Sequence, residues 1–197
     1  MLRSRTVKNP PADLAQRLLD VSDQVLHTDP PPRLEDVARL VGASRGTLYY
    51  YFAGRDDLLS FLLAEHTRQG AAAVRVAMNP KDAPEQRLRT MVTALVEYLG
   101  RHPGTCSGLL GALGETGRMG EVLQANDIWI ADPLRMLLAE GQAAGVFTVE
   151  DTTDAANAML GALLLAVLGR SMGGADTTDA RFRQRLADQV VRGILTR

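Results

Sequence analysis

The sequence predicts an all-α protein of about nine helices, and three observations carry that expectation. The chain of 197 residues is 46% hydrophobic but only 5% aromatic, with alanine and leucine abundant, which suits stacked helices better than a sheet of β-branched and aromatic side chains. Apolar residues recur three and four apart along most of its length. Prolines and glycines punctuate these stretches, and no strand-like alternation, internal repeat or low-complexity tract appears.

Each element has its own reason. Over residues 12–26, Leu14, Leu18, Val21 and Val25 mark a first amphipathic helix. Pro30, Pro31 and Pro32 end it, because proline removes a donor and biases the residue before it away from helical angles. A second helix starts near Leu34, with Glu35 and Asp36 at its electropositive end, and stops at Gly42. Ser44 is a good N-cap for a third helix through Tyr51. The Ala53-Gly54 break leads into a long helix over residues 56–77, which Asn79-Pro80 closes. Leu88, Met91, Val92, Leu95 and Leu99 define the next helix, stopped by the Arg101-His102-Pro103 step. A short apolar helix is expected around residues 109–113 and a long one over 122–144, kinked or restarted at Pro133 and closed by Gly145. Two last helices, over 155–168 and 180–195, flank the Gly173-Gly174 turn. The expected division is residues 1–55 and residues 56–197.

Residues 34–52, LEDVARLVGASRGTLYYYF, are the most informative segment. Two helices that cross at a tight turn need a small residue at the crossing, a glycine at the turn and apolar inner faces. Ala38, Gly42 and the set Val37, Val41, Ala43 and Leu48 supply these at matching offsets. That arrangement turns Ser44, Arg45, Gly46, Tyr49 and Tyr50 outward, as a helix-turn-helix requires of the helix it inserts into the major groove. Arg45 suits a guanine, whose two acceptors a guanidinium can bond together, and Thr47 suits a thymine methyl or a phosphate. Ser44 and the free N–H groups at its helix start suit a phosphate. Tyr49 and Tyr50 offer hydroxyls and ring faces, whereas Tyr51 reads as packing.

On these residues the chain resembles the TetR family of transcriptional repressors. The likeness runs over about residues 14–63 and rests on Val37-Ala38, Gly42, the run from Ser44 to Tyr49, Tyr51-Phe52 and Arg55-Asp56-Asp57-Leu58. It implies base contacts by Arg45, Thr47 and Tyr50 and phosphate contacts by Ser44, Tyr49 and Arg55. The chain departs from the family's pattern where Asp29, the three prolines and Arg33 replace a glycine-aromatic step and a capping threonine; Arg33 is then an expected phosphate contact. Tyr51 stands where the family often has histidine.

The second half resembles the family loosely. Its last two helices correspond to the pair that forms the family's dimer, and Ala155, Ala158, Ala162 and Ala166, beside Met159, Leu163 and Leu164, make a small-residue stripe that permits close helix approach. A buried intrachain helix would show the same pattern. Met91, Leu95, Tyr98, Trp129, Met136 and Met159, with Asn126 and Asn157 as polar handles, are candidates to line a small-molecule pocket, although each residue type is also common in plain cores. The expected partners are therefore double-stranded operator DNA, a small-molecule effector and a second copy of the chain.

Other classes find less support. The net charge is −1, so nucleic-acid binding is not written in the bulk composition; only Arg3, Arg5 and Lys8 make a short basic arm. His27, His66 and His102 are dispersed, and no phosphate loop, paired-histidine or nucleophile motif occurs, so no enzyme, cofactor or metal is expected. A helical interaction protein without DNA binding remains an alternative, against which Arg45, Thr47, Tyr50 and Arg55 argue. No apolar leader or membrane span is expected, and the single cysteine, Cys106, fits a reducing cytoplasmic compartment. A redox role for Cys106 would have only Arg101 and His102 nearby to lower its pKa.

Overall fold

The apolar periodicity of the first helix continues across a break at Val21, which divides it into α1 (Ala12–Asp20) and α2 (Ser22–His27). The Ser22 hydroxyl donates to the Leu19 carbonyl at 2.5 Å, the kind of local side-chain bond that competes with helical pairing. The computed structural model describes residues 9–28, 30, 32–113 and 119–195. Arg3, Arg5, Lys8, Asp29 and Pro31 lie outside the described residues.

Helices α3 (Leu34–Leu40) and α4 (Arg45–Tyr51) form the helix-turn-helix. Gly42 makes its turn at φ +63°, a left-handed conformation that glycine alone adopts without strain. Arg17 of α1 donates to the Val41 carbonyl at 2.6 Å, satisfying an orphan acceptor at the end of α3 and pinning the turn to the first helix. The long α5 (Arg55–Ala77) follows, then α6 (Pro84–Arg101). Pro103 both ends α6 and opens α7 (Pro103–Leu113), because a missing N–H costs nothing at the first helical position. The helix expected around residues 109–113 is therefore longer and begins directly after the break.

The segment expected over residues 122–144 comprises α8 (Met119–Asn126), a π-helical turn (Asp127–Ala131) and α9 (Asp132–Ala143). The π-turn accommodates Pro133, whose ring would otherwise meet the carbonyl four residues back, at Trp129. Arg135 secures it by pairing with Asp127 at 2.7 Å and with Asp132. The last pair, α10 (Thr152–Met172) and α11 (Ala180–Arg192), starts at aspartate caps: Asp151 accepts from the Thr153 and Asp154 amides, and Asp179 from Arg181. Helix α10 is longer than the apolar run read from the sequence. Among the described residues it is the one helix long and apolar enough to cross a membrane, by length and composition only. It packs against α6, α7, α9 and α11 along one face, through Ala156, Met159, Leu163 and Val167.

Two apolar clusters organise the chain. One joins α1 to α4 with the first half of α5, Leu58 to Leu63, and takes in Ala112 and Val122. The other lies among α6, α9, α10, α11 and the end of α5. The division of packing thus falls inside α5, beyond residue 55. Helix α7 lies across both, and its closest approach is at Gly104, where an added Cβ would stand 2.6 Å from the Asp23 carbonyl oxygen.

Candidate nucleic-acid interface and ligand cavity

Leu48 is the one fully buried side chain of α4, so it anchors the helix and leaves Arg45, Thr47, Tyr49 and Tyr50 on the outer face. Ser44 caps the helix as its sequence position implies: its oxygen accepts from the Thr47 amide at 3.0 Å and stands 2.8 Å from the Thr47 hydroxyl. Arg45 reaches back to Glu35 at 3.3 Å, with its guanidinium 5.2 Å from the centre of the Tyr49 ring. The Tyr49 hydroxyl donates to the same carboxylate at 3.0 Å. The backbone at Glu35 and the Tyr49 hydroxyl hold that carboxyl below its ordinary pKa, so it stays an anionic tether. An exposed pair of this kind contributes little, because water screens it, so Arg45 can leave it for a base at small cost.

Arg33 is exposed at the N-cap of α3, and Arg55 begins α5 with its charge beside Asp56 at 3.5 Å. Together with Tyr49 they flank an open groove of about 730 Å³ floored by Glu35, Ala53 and Asp57. Tyr51 sits half-buried against the first apolar cluster, edge-on to Tyr50 at 5.0 Å between centroids.

In the second half a cavity of about 310 Å³ opens among α5, α6, α7, α8 and α10. Leu95, Tyr98, Asn126 and Asn157 line it. Four other candidate residues do not. Met91 and Met159 are buried in the second apolar cluster, and Trp129 and Met136 are 42% and 74% exposed on the outer side of the π-turn and α9. The inward face there is Ile130, Leu134, Leu137 and Leu138 instead.

Sequence reasoning missed His66, Thr67 and Thr105, all of which line the cavity. His66 had a legible signal, since it lies on the buried stripe of α5 that includes Leu62, Gly70 and Val74. It is the centre of a hydrogen-bonded chain. The Ser22 proton goes to Leu19, so Ser22 accepts from His66 Nε2–H at 2.7 Å, and Nδ1 stands 2.8 Å from the Tyr98 hydroxyl, which also reaches Gln69 Oε1 at 3.1 Å. The ring of His102 lies 5.0 Å from His66, and Asp23 lies 3.8 Å from His102.

Burial, and secondarily the neighbouring His102, holds His66 at about 4, below its ordinary 6.5. The unfolded chain therefore takes up the proton first. The stability that neutral His66 permits is complete above about pH 6.5 and is lost as pH falls toward 4, by on the order of 3 kcal/mol. Urea midpoints measured from pH 7 to 4 should show this loss, and His66→Asn should flatten it relative to the parent. Burial likewise pushes the Tyr98 phenol up and the Cys106 thiol up to about 12, so Cys106 holds little reactive thiolate.

Residues 19–60 match the family model described as bacterial regulatory proteins, tetR family, and residues 81–167 match that described as tetracyclin repressor-like, C-terminal domain. Among solved structures, the fatty acid degradation regulator FadR from Bacillus halodurans is 23% identical, with a TM-score of 0.74 over 94% of this chain and 97% of that one. PfmR, a TetR family transcriptional regulator from Thermus thermophilus, is 20% identical, with a TM-score of 0.67 over 97% and 100%. A bacterial regulatory protein in the tetR family from Rhodococcus RHA1 is 18% identical, with a TM-score of 0.74 over 93% and 98%. No curated protein matches the chain.

Proposed function

This chain belongs to the TetR family of bacterial regulatory proteins and is a DNA-binding transcriptional regulator, and we propose that it is a homodimeric repressor that releases its operator when a small, mostly apolar molecule enters the cavity. One observation carries the reading: the walls of the cavity also grip the DNA-binding half. His66 lines the cavity and bonds Ser22 of α2, and α7, which contributes Thr105 and Leu109 to the lining, takes the Gly104 amide to Asp23 at 2.9 Å. The long helix α5 joins the two halves through the chain, and the α7–α2 contact joins them a second time through space.

In this reading Arg45, Thr47 and Tyr50 face bases, while Arg33, Ser44, Tyr49 and Arg55 face phosphates on either side of the groove. Leu95, Tyr98, Asn126 and Asn157 contact the effector. The second copy docks on α10 and α11. Helix α10 turns Ala158, Ala162, Leu165, Gly169 and Met172 outward in one row, with Leu165 57% and Met172 76% exposed. An apolar row of this kind is what two α10 helices need to meet. It differs from the row read from the sequence, since Met159 and Leu163 face the chain's own core. The site of action is cytoplasmic, and the role is regulatory rather than catalytic.

Release requires the effector to bind one dimer conformation better than the other. Any compound that raises the melting temperature through the cavity should weaken operator binding by about 5- to 150-fold, the range of a 1–3 kcal/mol coupling. Operator must weaken binding of that compound by the same factor. Calorimetric titrations with and without operator read both directions, and equal affinities in the two would overturn release by that compound.

A further inference from the structure

Thr105 and Thr67 both line the cavity, but they differ in one respect. Thr67 settles its hydroxyl on the Leu63 carbonyl one turn back in α5, at 2.9 Å. Thr105, at the third position of α7, is 3% exposed, and its Oγ1 has no hydrogen-bond partner among the described residues. Its amide is engaged, donating to the His102 carbonyl at 3.0 Å. Native proteins leave few buried hydroxyls unpaired, since each has given up its bonds to water. Thr105 is itself one of the residues that line the cavity, although its Oγ1 is not bare to it.

The surroundings restrict what can satisfy it. None of the described lining residues is an aspartate, glutamate, lysine or arginine. Among the described lining residues His66 is the one whose ordinary pKa lies near the physiological range, and burial, with the neighbouring His102 second, keeps it neutral. Leucines of α6, α7, α8 and α10, with Val122 and Ile130, supply most of the remaining wall. A carboxylate or ammonium placed here would lose its hydration without gaining an opposite charge from any described lining residue. The volume, about 310 Å³, lies at the small end of the roughly 300–1,000 Å³ usual for ligand sites.

We propose that the cavity selects an uncharged, mostly apolar molecule whose single hydroxyl or carbonyl head group turns Thr105 Oγ1 into the cavity and bonds it beside Tyr98, with its hydrocarbon part against the leucines of α6 and α10. This rests on the reading of the cavity as the effector site and adds the class of effector to it. Four probes sharing an eight-carbon skeleton separate the alternatives: octan-1-ol, octan-2-one, sodium octanoate and octylammonium chloride, titrated calorimetrically into the full-length protein at pH 7.5.

The alcohol and the ketone should bind at least about tenfold more tightly than either ion. Thr105→Val, which removes the hydroxyl and keeps the shape, should weaken octan-1-ol binding by about tenfold, roughly one hydrogen bond's contribution. Its ligand-free melting temperature should stay level or rise, because an unpaired hydroxyl has been removed, and Thr105→Ser should retain the affinity. Octanoate or octylammonium binding as tightly as octan-1-ol, unchanged octan-1-ol affinity in Thr105→Val, or binding by none of the four would overturn the proposal. Octan-1-ol bound as expected, but without effect on operator affinity, would support this selectivity and overturn the regulatory reading alone.

Discussion

Ala162→Glu should convert the dimer to monomers and abolish tight operator binding. In the single chain Ala162 is exposed, so the variant should fold normally, with unchanged helical circular dichroism and melting temperature in the monomer. The consequence arises only on association. Ala162 lies mid-row between Ala158 and Leu165, where small side chains let two α10 helices approach closely. A glutamate there brings bulk and an unpaired carboxylate from each copy into a dry contact, and an uncompensated buried charge costs about 3–5 kcal/mol. Dimer dissociation constants should rise by about a thousandfold or more. Sedimentation velocity at micromolar concentration should show a single monomer boundary, with operator affinity reduced to that of one half-site. A variant that sediments as the parent dimer would move the interface away from this row.

Arg45→Ala should produce the other large effect, because a dimer reads its operator twice. One bidentate arginine–guanine contact is worth about 1–3 kcal/mol. Losing two symmetry-related contacts should therefore cost about 2–6 kcal/mol on the specific site. The Arg45–Glu35 pair subtracts little from this, being exposed on the arginine side. Non-specific affinity should change far less, since one cation per half-site affects only the salt-dependent part. Preference should relax at one base pair in each half-site. Fluorescence anisotropy with operator and scrambled duplexes measures both quantities. Unaltered affinity and preference would remove Arg45 from base readout.

The helix-turn-helix was legible because its determinants are local. Gly42 makes the turn, Ser44 caps α4 from three residues before Thr47, and Val37, Ala38 and Leu48 meet within one short segment. The break at Val21 was hidden, because the apolar spacing runs through it and the Ser22 contact that accompanies it comes from His66, 44 residues away. Asp151 was a readable cap that would have started α10 earlier than residue 155.

The cavity was read only in part, since residue type does not say which wall a side chain faces. Met91 and Met159 suit a pocket and a core equally, and packing assigned them to the core. Trp129 and Met136 lie on the face that the π-turn and α9 present to solvent, a phase fixed by Ile130 and Leu134. Thr105 carries no sequence signal at all. Its unpaired hydroxyl exists only once α7 is docked between the two halves.

In the proposed dimer, two copies of this chain present α4 to successive major grooves of one operator. Footprinting of the purified protein on DNA flanking its own coding sequence tests that most directly. The expected footprint is a protected pseudo-palindrome whose half-site centres lie about 34–36 Å apart, or a multiple of one helical turn, lost with Arg45→Ala. Protection without two-fold symmetry, or none at any concentration that exceeds non-specific binding, would contradict it.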